Sequence, residues 1–231
     1  DYGNPFDVTR FNKQHNAAPC CPRHGLTFHC WAPPKTIKMT DLKNNDLRPW
    51  SAGHQQTVYR HLLRAFSFPG RIETLGDGCA LTQVLATLVD SEARLADPYH
   101  LVDELTRQRL QARLTAPEQA QFIVADGSKP PAWEPAQGSL ESPEQGATIL
   151  LQVASLGHGP QWSLEGPGIE TRASLAIGGL DPAWMDRRTA WNAAFPLGVD
   201  LILIDAECMA ALPRTTVMSR VTTPGETSWV M

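Results

Sequence analysis

Pro213-Arg214-Thr215-Thr216 is the polar cluster in this chain with the residue types for chemistry. A guanidinium is a planar fork suited to phosphate or carboxylate, and two adjacent hydroxyls could complete an anion pocket, so Arg214, Thr215 and Thr216 are the candidate ligand or interface residues. A structural reading competes and is favoured. In it Pro213 ends a strand, Arg214 pairs with Asp200 or another carboxylate, and the threonines satisfy nearby backbone groups. Other chemistries find little support. Neither a Gly-x-Ser-x-Gly elbow nor a His-Glu-x-x-His pair occurs, and Gly76-Asp77-Gly78 has neither the third glycine of a dinucleotide fingerprint nor the lysine of a P-loop. No catalytic residue can be named from the sequence.

Cysteine and lysine narrow the choice further. Cys20, Cys21, His24, His29 and Cys30 could supply zinc ligands, but the spacing lacks a Cys-x-x-Cys and a second knuckle, so no metal is expected. No three thiolates stand close enough to hold a cluster for radical chemistry. Pyridoxal chemistry needs an aldimine lysine, and from Met39 onward the candidates are Lys43 in a polar lead and Lys129 ahead of two prolines. No cofactor is therefore expected. The histidines of that region, His54, His61, His100 and His158, read as solvated imidazoles.

The elements that would position such residues follow from periodicity. Val58, Leu62 and Phe66, flanked by Tyr59 and Leu63, mark a helix from His54 to Phe66, with Arg60 and Arg64 on a solvated face. Arg71 to Leu75 reads as a strand, and the glycine turn leads into a helix burying Leu81, Val84, Leu85 and Leu88, with Asp77 as its cap and Cys79 as a small buried residue. A third helix is expected over Tyr99 to Arg113 and a strand over Gln121 to Ala125. The Pro- and Gly-rich stretch Asp126 to Gly146 is either a linker or a long loop. Ala147 to Ala154 and Trp162 to Glu165 would then form a hairpin about Gly157-His158-Gly159-Pro160. Asp181-Pro182 starts a helix reaching Ala194, and Val199 to Ile204 is a strand covered on both faces. Helices alternating with such strands imply an α/β fold, a layered sandwich with a mixed sheet.

Composition sets outer bounds. The 231 residues are 42% hydrophobic, enough for a substantial core, and contain no apolar run long enough to span a membrane. Five cysteines, three of them in the first thirty residues, form no disulfide framework, so a cytoplasmic location without membrane attachment is expected. Residues 1–38 carry five Lys/Arg against two Asp/Glu, leaving 15 against 22, a net −7, for residues 39–231. That acidity argues against a nucleic-acid partner. Proline-rich and without apolar period, residues 1–38 are expected to be a disordered or non-native extension. Residues 39–231 are expected to form a single α/β domain with Met39 as a native start.

Several blocks stand in a telling order: Tyr59-Arg60-His61-Leu62-Leu63-Arg64 to Pro69-Gly70, Gly146-Ala147-Thr148-Ile149-Leu150-Leu151-Gln152-Val153-Ala154-Ser155-Leu156, Gly166-Pro167-Gly168-Ile169, Phe195-Pro196-Leu197-Gly198-Val199-Asp200 and Leu212-Pro213-Arg214-Thr215-Thr216. Over roughly residues 54–231 the chain resembles the PhnH subunit family of the bacterial carbon-phosphorus lyase system. The resemblance implies a homodimeric subunit of a core complex with PhnG, PhnI and PhnJ. That complex forms ribose 1-phosphonate 5-triphosphate from ATP and a phosphonate, releasing adenine. It also implies a fold like the large domain of pyridoxal-dependent transferases without the cofactor, and a non-catalytic, structural or substrate-positioning role. The alternative is a stand-alone small-molecule transferase with its own site.

Overall fold

The computed structural model describes residues 47–221, all within one compact unit. The expected extension at residues 1–38, the Cys20–Cys30 cluster, Met39 and Lys43 lie outside the described residues.

Seven strands form a mixed sheet in the order β1 (Glu73–Thr74), β9 (Cys208–Leu212), β8 (Asp200–Ile204), β5 (Thr148–Gln152), β4 (Phe122–Asp126), β2 (Arg94–Ala96), β3 (Arg113–Leu114). The run from β3 to β8 is parallel, whereas β9 returns antiparallel to β8 and pairs with β1. Strands β4, β5 and β8 are continuous aliphatic runs because both faces are covered. On one face Val124, Leu150, Ile202 and Ile204 meet Val58 and Leu62 of helix α1 (Ala52–Ser67) and Val84 and Leu85 of α2 (Ala80–Leu88). On the other, Ile149, Leu151, Leu201 and Leu203 meet Trp184, Met185 and Trp191 of α4 (Ala183–Trp191), together with Trp162, Leu164, Leu175 and Ile177. Those last four belong to a separate antiparallel sheet, β10 (Val217–Arg220), β6 (Ser155–Glu165), β7 (Ala173–Gly178).

Three sequence expectations are corrected. The hairpin between Ala147 to Ala154 and Trp162 to Glu165 does not form. Strand β5 stays in the large sheet, and Gly157-His158-Gly159-Pro160 is a bulge inside β6, where the register against β7 shifts between Leu156 and Gln161. Gly157 and Gly159 hold φ of 84° and 116°, which allows the excursion without ending the strand. The helix expected over Tyr99 to Arg113 shrinks to α3 (Glu104–Leu110). Asp97 takes the N–H groups of Leu101 and Val102 at 2.9 and 3.0 Å, and Asp103 caps at Thr106 N, so side chains capture the donors a longer helix would use. Nor does Asp77 cap α2. Cys79 occupies that position and is exposed rather than buried.

Smaller differences follow tertiary packing. In α1, Ala65 rather than Phe66 completes the buried stripe, while Tyr59 and Leu63 are about half exposed beside the exposed Arg60 and Arg64. Strands β2 and β3, of three and two residues, are too short to show an alternating run, and β7 buries Leu175, Ala176 and Ile177 in succession rather than alternately. Pro182 takes the N-cap position of α4, and Asp181 just before it accepts Ala183 N–H on its carboxylate at 2.9 Å.

The stretch Asp126 to Gly146 is a packed loop within the unit. Trp133 stacks on Trp191 at 6.1 Å and meets Trp184 edge-on at 5.8 Å. Glu134 accepts from Trp191 Nε1 and from Arg187, tying the loop to α4. Replacing Leu150, which is fully buried at the centre of the sheet, by alanine is expected to cost about 2–5 kcal/mol in urea denaturation. A loss below about 1 kcal/mol would mean that the helical layer does not close over β5 there.

Candidate functional site

Asp200 opens β8 and Leu212 closes β9, and these strands are antiparallel neighbours with Leu201 opposite Leu212. The ladder thus sets Asp200 beside the chain that leaves β9 at Pro213. The Asp200 carboxylate accepts the Arg214 backbone N–H at 2.7 Å, and the guanidinium closes on the same group, Nη2 to Oδ2 at 2.8 Å and Nε to Oδ1 at 3.5 Å. Nη1 faces the other way and donates to Pro143 O at 2.9 Å and Pro196 O at 3.2 Å. Of five N–H donors on an arginine side chain, four have acceptors here. Arg214 therefore joins three segments: the β9 exit, the loop near Pro143 and the loop at Phe195-Pro196.

Close backbone approach completes the junction. Gly198 N–H donates to Gln137 O at 2.9 Å, and a Cβ on Gly146 would lie 2.2 Å from Gly198 O. Gly146 thus has no room for a side chain, whatever its backbone angles.

Thr215 and Thr216 continue the segment, Thr215 half-buried. Thr216 is buried; its N–H donates to Pro213 O at 2.9 Å, and its Oγ1 has no hydrogen-bond partner. A second arginine holds this segment from beneath. Arg188 of α4 is almost fully buried and donates to Thr216 O at 2.9 Å, Pro213 O at 2.6 Å and Leu212 O at 3.4 Å. Burial pushes its pKa down to about 10, with the Asp200 charge opposing the shift, so it remains a guanidinium at neutral pH. Sequence reasoning missed Arg188 because Asp186-Arg187-Arg188 reads as a solvated helix face. Its one signal was an arginine three residues before Trp191 on the stripe that also holds Trp184.

Other polar groups are spread over the sheet margins. Among the described residues no three His, Cys, Asp or Glu side chains converge in a way that could hold a metal ion. Lys129 pairs with Asp126 at 2.9 Å and lies 5.0 Å above the Tyr99 ring. Burial alone would raise the Asp126 carboxyl, but hydrogen bonds from Ser128 and Lys129 outweigh it and hold the group below its ordinary value. The histidine expectation is corrected at two positions. His54 Nε2 contacts Gln83 Oε1 at 2.8 Å, and His61 Nδ1 contacts the buried Glu73 at 2.6 Å, because α1 packs over α2 and β1 there. A cavity at the carboxyl ends of β2 and β3, lined by Asp97, His100, Arg107 and Thr115 among apolar residues, measures about 160 Å³. Ligand pockets usually run to roughly 300–1,000 Å³.

The family described as bacterial phosphonate metabolism protein (PhnH) matches residues 49–219. A putative C-P lyase subunit protein, HtxG, of Stutzerimonas stutzeri is 49% identical over 171 residues, covering 73% of this chain and 88% of the relative. The PhnH subunit of α-D-ribose 1-methylphosphonate 5-triphosphate synthase of Rhizobium meliloti (strain 1021) is 30% identical over 185 residues, covering 71% of this chain and 90% of the relative.

Two sets of substitutions test the junction. Arg214→Ala and Asp200→Ala should each cost about 2–4 kcal/mol, and a double-mutant cycle should return a coupling of at least about 1 kcal/mol. Additive losses would mean that the pair contributes nothing as a pair. Thr216→Val, which removes an unpaired buried hydroxyl and keeps the shape, should leave stability unchanged or raise it by about 1 kcal/mol. A clear loss would show that the hydroxyl has a partner.

Proposed function

The chain belongs to the PhnH family of bacterial phosphonate metabolism proteins, and from that premise we propose how it works. It is a subunit of the carbon-phosphorus lyase system, needed where ribose 1-phosphonate 5-triphosphate is made from ATP and a phosphonate with release of adenine. It acts in the cytoplasm by holding and positioning partner subunits of the PhnG, PhnI and PhnJ type, and pairs with a second copy of itself, without a catalytic group of its own. Residues 39–231 are the functional domain, and residues 1–38 lie outside it. The likeness to the large domain of pyridoxal-dependent transferases, without their cofactor, belongs to the same reading.

One observation carries the positioning role. Arg214 and Arg188, the arginines at the site that sequence and fold single out, are engaged with Asp200 and with backbone carbonyls. Such arginines organise a surface, whereas a catalytic group must keep its reactive atoms available to substrate. The match to relatives named as lyase or synthase subunits supports the assembly in which that surface works.

The test is reconstitution. Partner subunits assayed for phosphonate-dependent adenine release should be active with this chain and lose nearly all activity without it, and the isolated chain should release none. Undiminished release in its absence would remove the subunit reading. Turnover by the isolated chain would favour the stand-alone transferase.

A further inference from the structure

Two tight turns flank Arg214. In the first, Ser142 N–H donates to Ser139 O and to Ser139 Oγ, both at 3.1 Å, leaving Leu140 and Glu141 at the tip. In the second, Leu197 N–H donates to Ala194 O at 3.0 Å, with Phe195 and Pro196 at the tip across a cis peptide bond. Arg214 Nη1 binds the carbonyl just past the first turn and a carbonyl inside the second, and the Gly198 to Gln137 hydrogen bond ties the same two loops again. One guanidinium therefore ties both loops to the same point.

What the tips carry is unusual for turns, whose central positions favour Gly, Pro, Asn, Asp and Ser. Leu140 is 77% exposed and Phe195 68%, the two most exposed of the large apolar side chains among the described residues. The first turn carries two carboxylates, and the nearby cations are Arg214, engaged with Asp200, and Arg94, at the recess beside it. Glu141 and Glu144 are exposed and have no cationic partner among the described residues. A recess of about 550 Å³, lined by Gln137, Gly138, Ser139, Gln145, Arg94 and Glu118, opens beside the first turn.

We propose that this face docks a different polypeptide, a subunit whose apolar recess receives Phe195 and Leu140 and whose Lys/Arg rim meets Glu141 and Glu144. The inference rests on the subunit reading above and names the surface that serves it. Charge decides against a second copy: a two-fold contact through this patch would bring four glutamates into one interface. Mounting favours docking too, because loops whose backbones are already held in the free protein lose less entropy on binding.

The experiment uses the complete chain co-expressed with PhnG, PhnI and PhnJ type subunits of the same genome, with affinity and melting temperature measured for each variant. Phe195→Asp and Leu140→Asp should each weaken assembly about tenfold or more. Glu141→Lys combined with Glu144→Lys should weaken it and flatten its salt dependence. Tyr59→Asp with Leu63→Asp, on the exposed apolar face of α1, should bind as wild type. Melting temperatures should stay near wild type throughout, since all these side chains are exposed. The tip effects should also persist in a chain ending at Val221.

Tip variants that bind like wild type overturn the docking face while leaving the subunit reading intact. A wild-type chain that joins none of the partners overturns the subunit reading and this inference with it. Tip variants that dissolve a homodimer but spare partner binding assign the face to a second copy. Tip effects that vanish when residues 222–231 are removed assign it to that segment. Either assignment overturns the proposal.

Discussion

The Asp200–Arg214 pair is the constraint on which the surface geometry depends. Strand register alone brings the two residues together, because Asp200 begins β8 where its neighbour β9 ends. The carboxylate fixes the guanidinium plane, and the remaining Nη1 donors can then reach only the carbonyls of Pro143 and Pro196. Two loops separated by some fifty residues of sequence are thereby set in one register relative to the large sheet. Arg188 supports the arrangement from the core side by holding the carbonyls of Leu212, Pro213 and Thr216. A lysine would serve poorly at either position, since the geometry uses a planar fork with several fixed donors.

How much of this was legible in sequence depends on the range of the interactions involved. Strands β4, β5 and β8 were readable because burial on both faces leaves an uninterrupted aliphatic run, and α1 was readable from the spacing of Val58 and Leu62. The small sheet was not. Its longest strand, β6, carries two glycines and a proline at a bulge that locally looks like a turn, and the strand on either side of it is defined by pairing with β7, beyond the Gly166–Gly168 turn, and with β10. The third helix failed for a local reason that sequence contains but rarely advertises: Asp97 captures the N–H groups of Leu101 and Val102, and Asp103 that of Thr106.

At the site, pairing of Arg214 with Asp200 was among the readings open from sequence. Its second function, gathering the Pro143 and Pro196 carbonyls, was not, because neither loop has a periodic pattern that would place it. Arg188 was hidden by the opposite problem, a charged residue in a helix whose charges mostly do face water. Its burial follows from the tryptophans around it, Trp184 and Trp191, which draw that face of α4 into the core.

The proposed role requires that this chain act through the face Arg214 organises. Hydrogen–deuterium exchange of the wild-type chain, alone and in the reconstituted complex, tests that claim most directly. Assembly should slow exchange in residues 138–146 and 193–198 while leaving the exposed face of α1 unchanged. Unaltered exchange in both loops, with protection arising elsewhere, would contradict it.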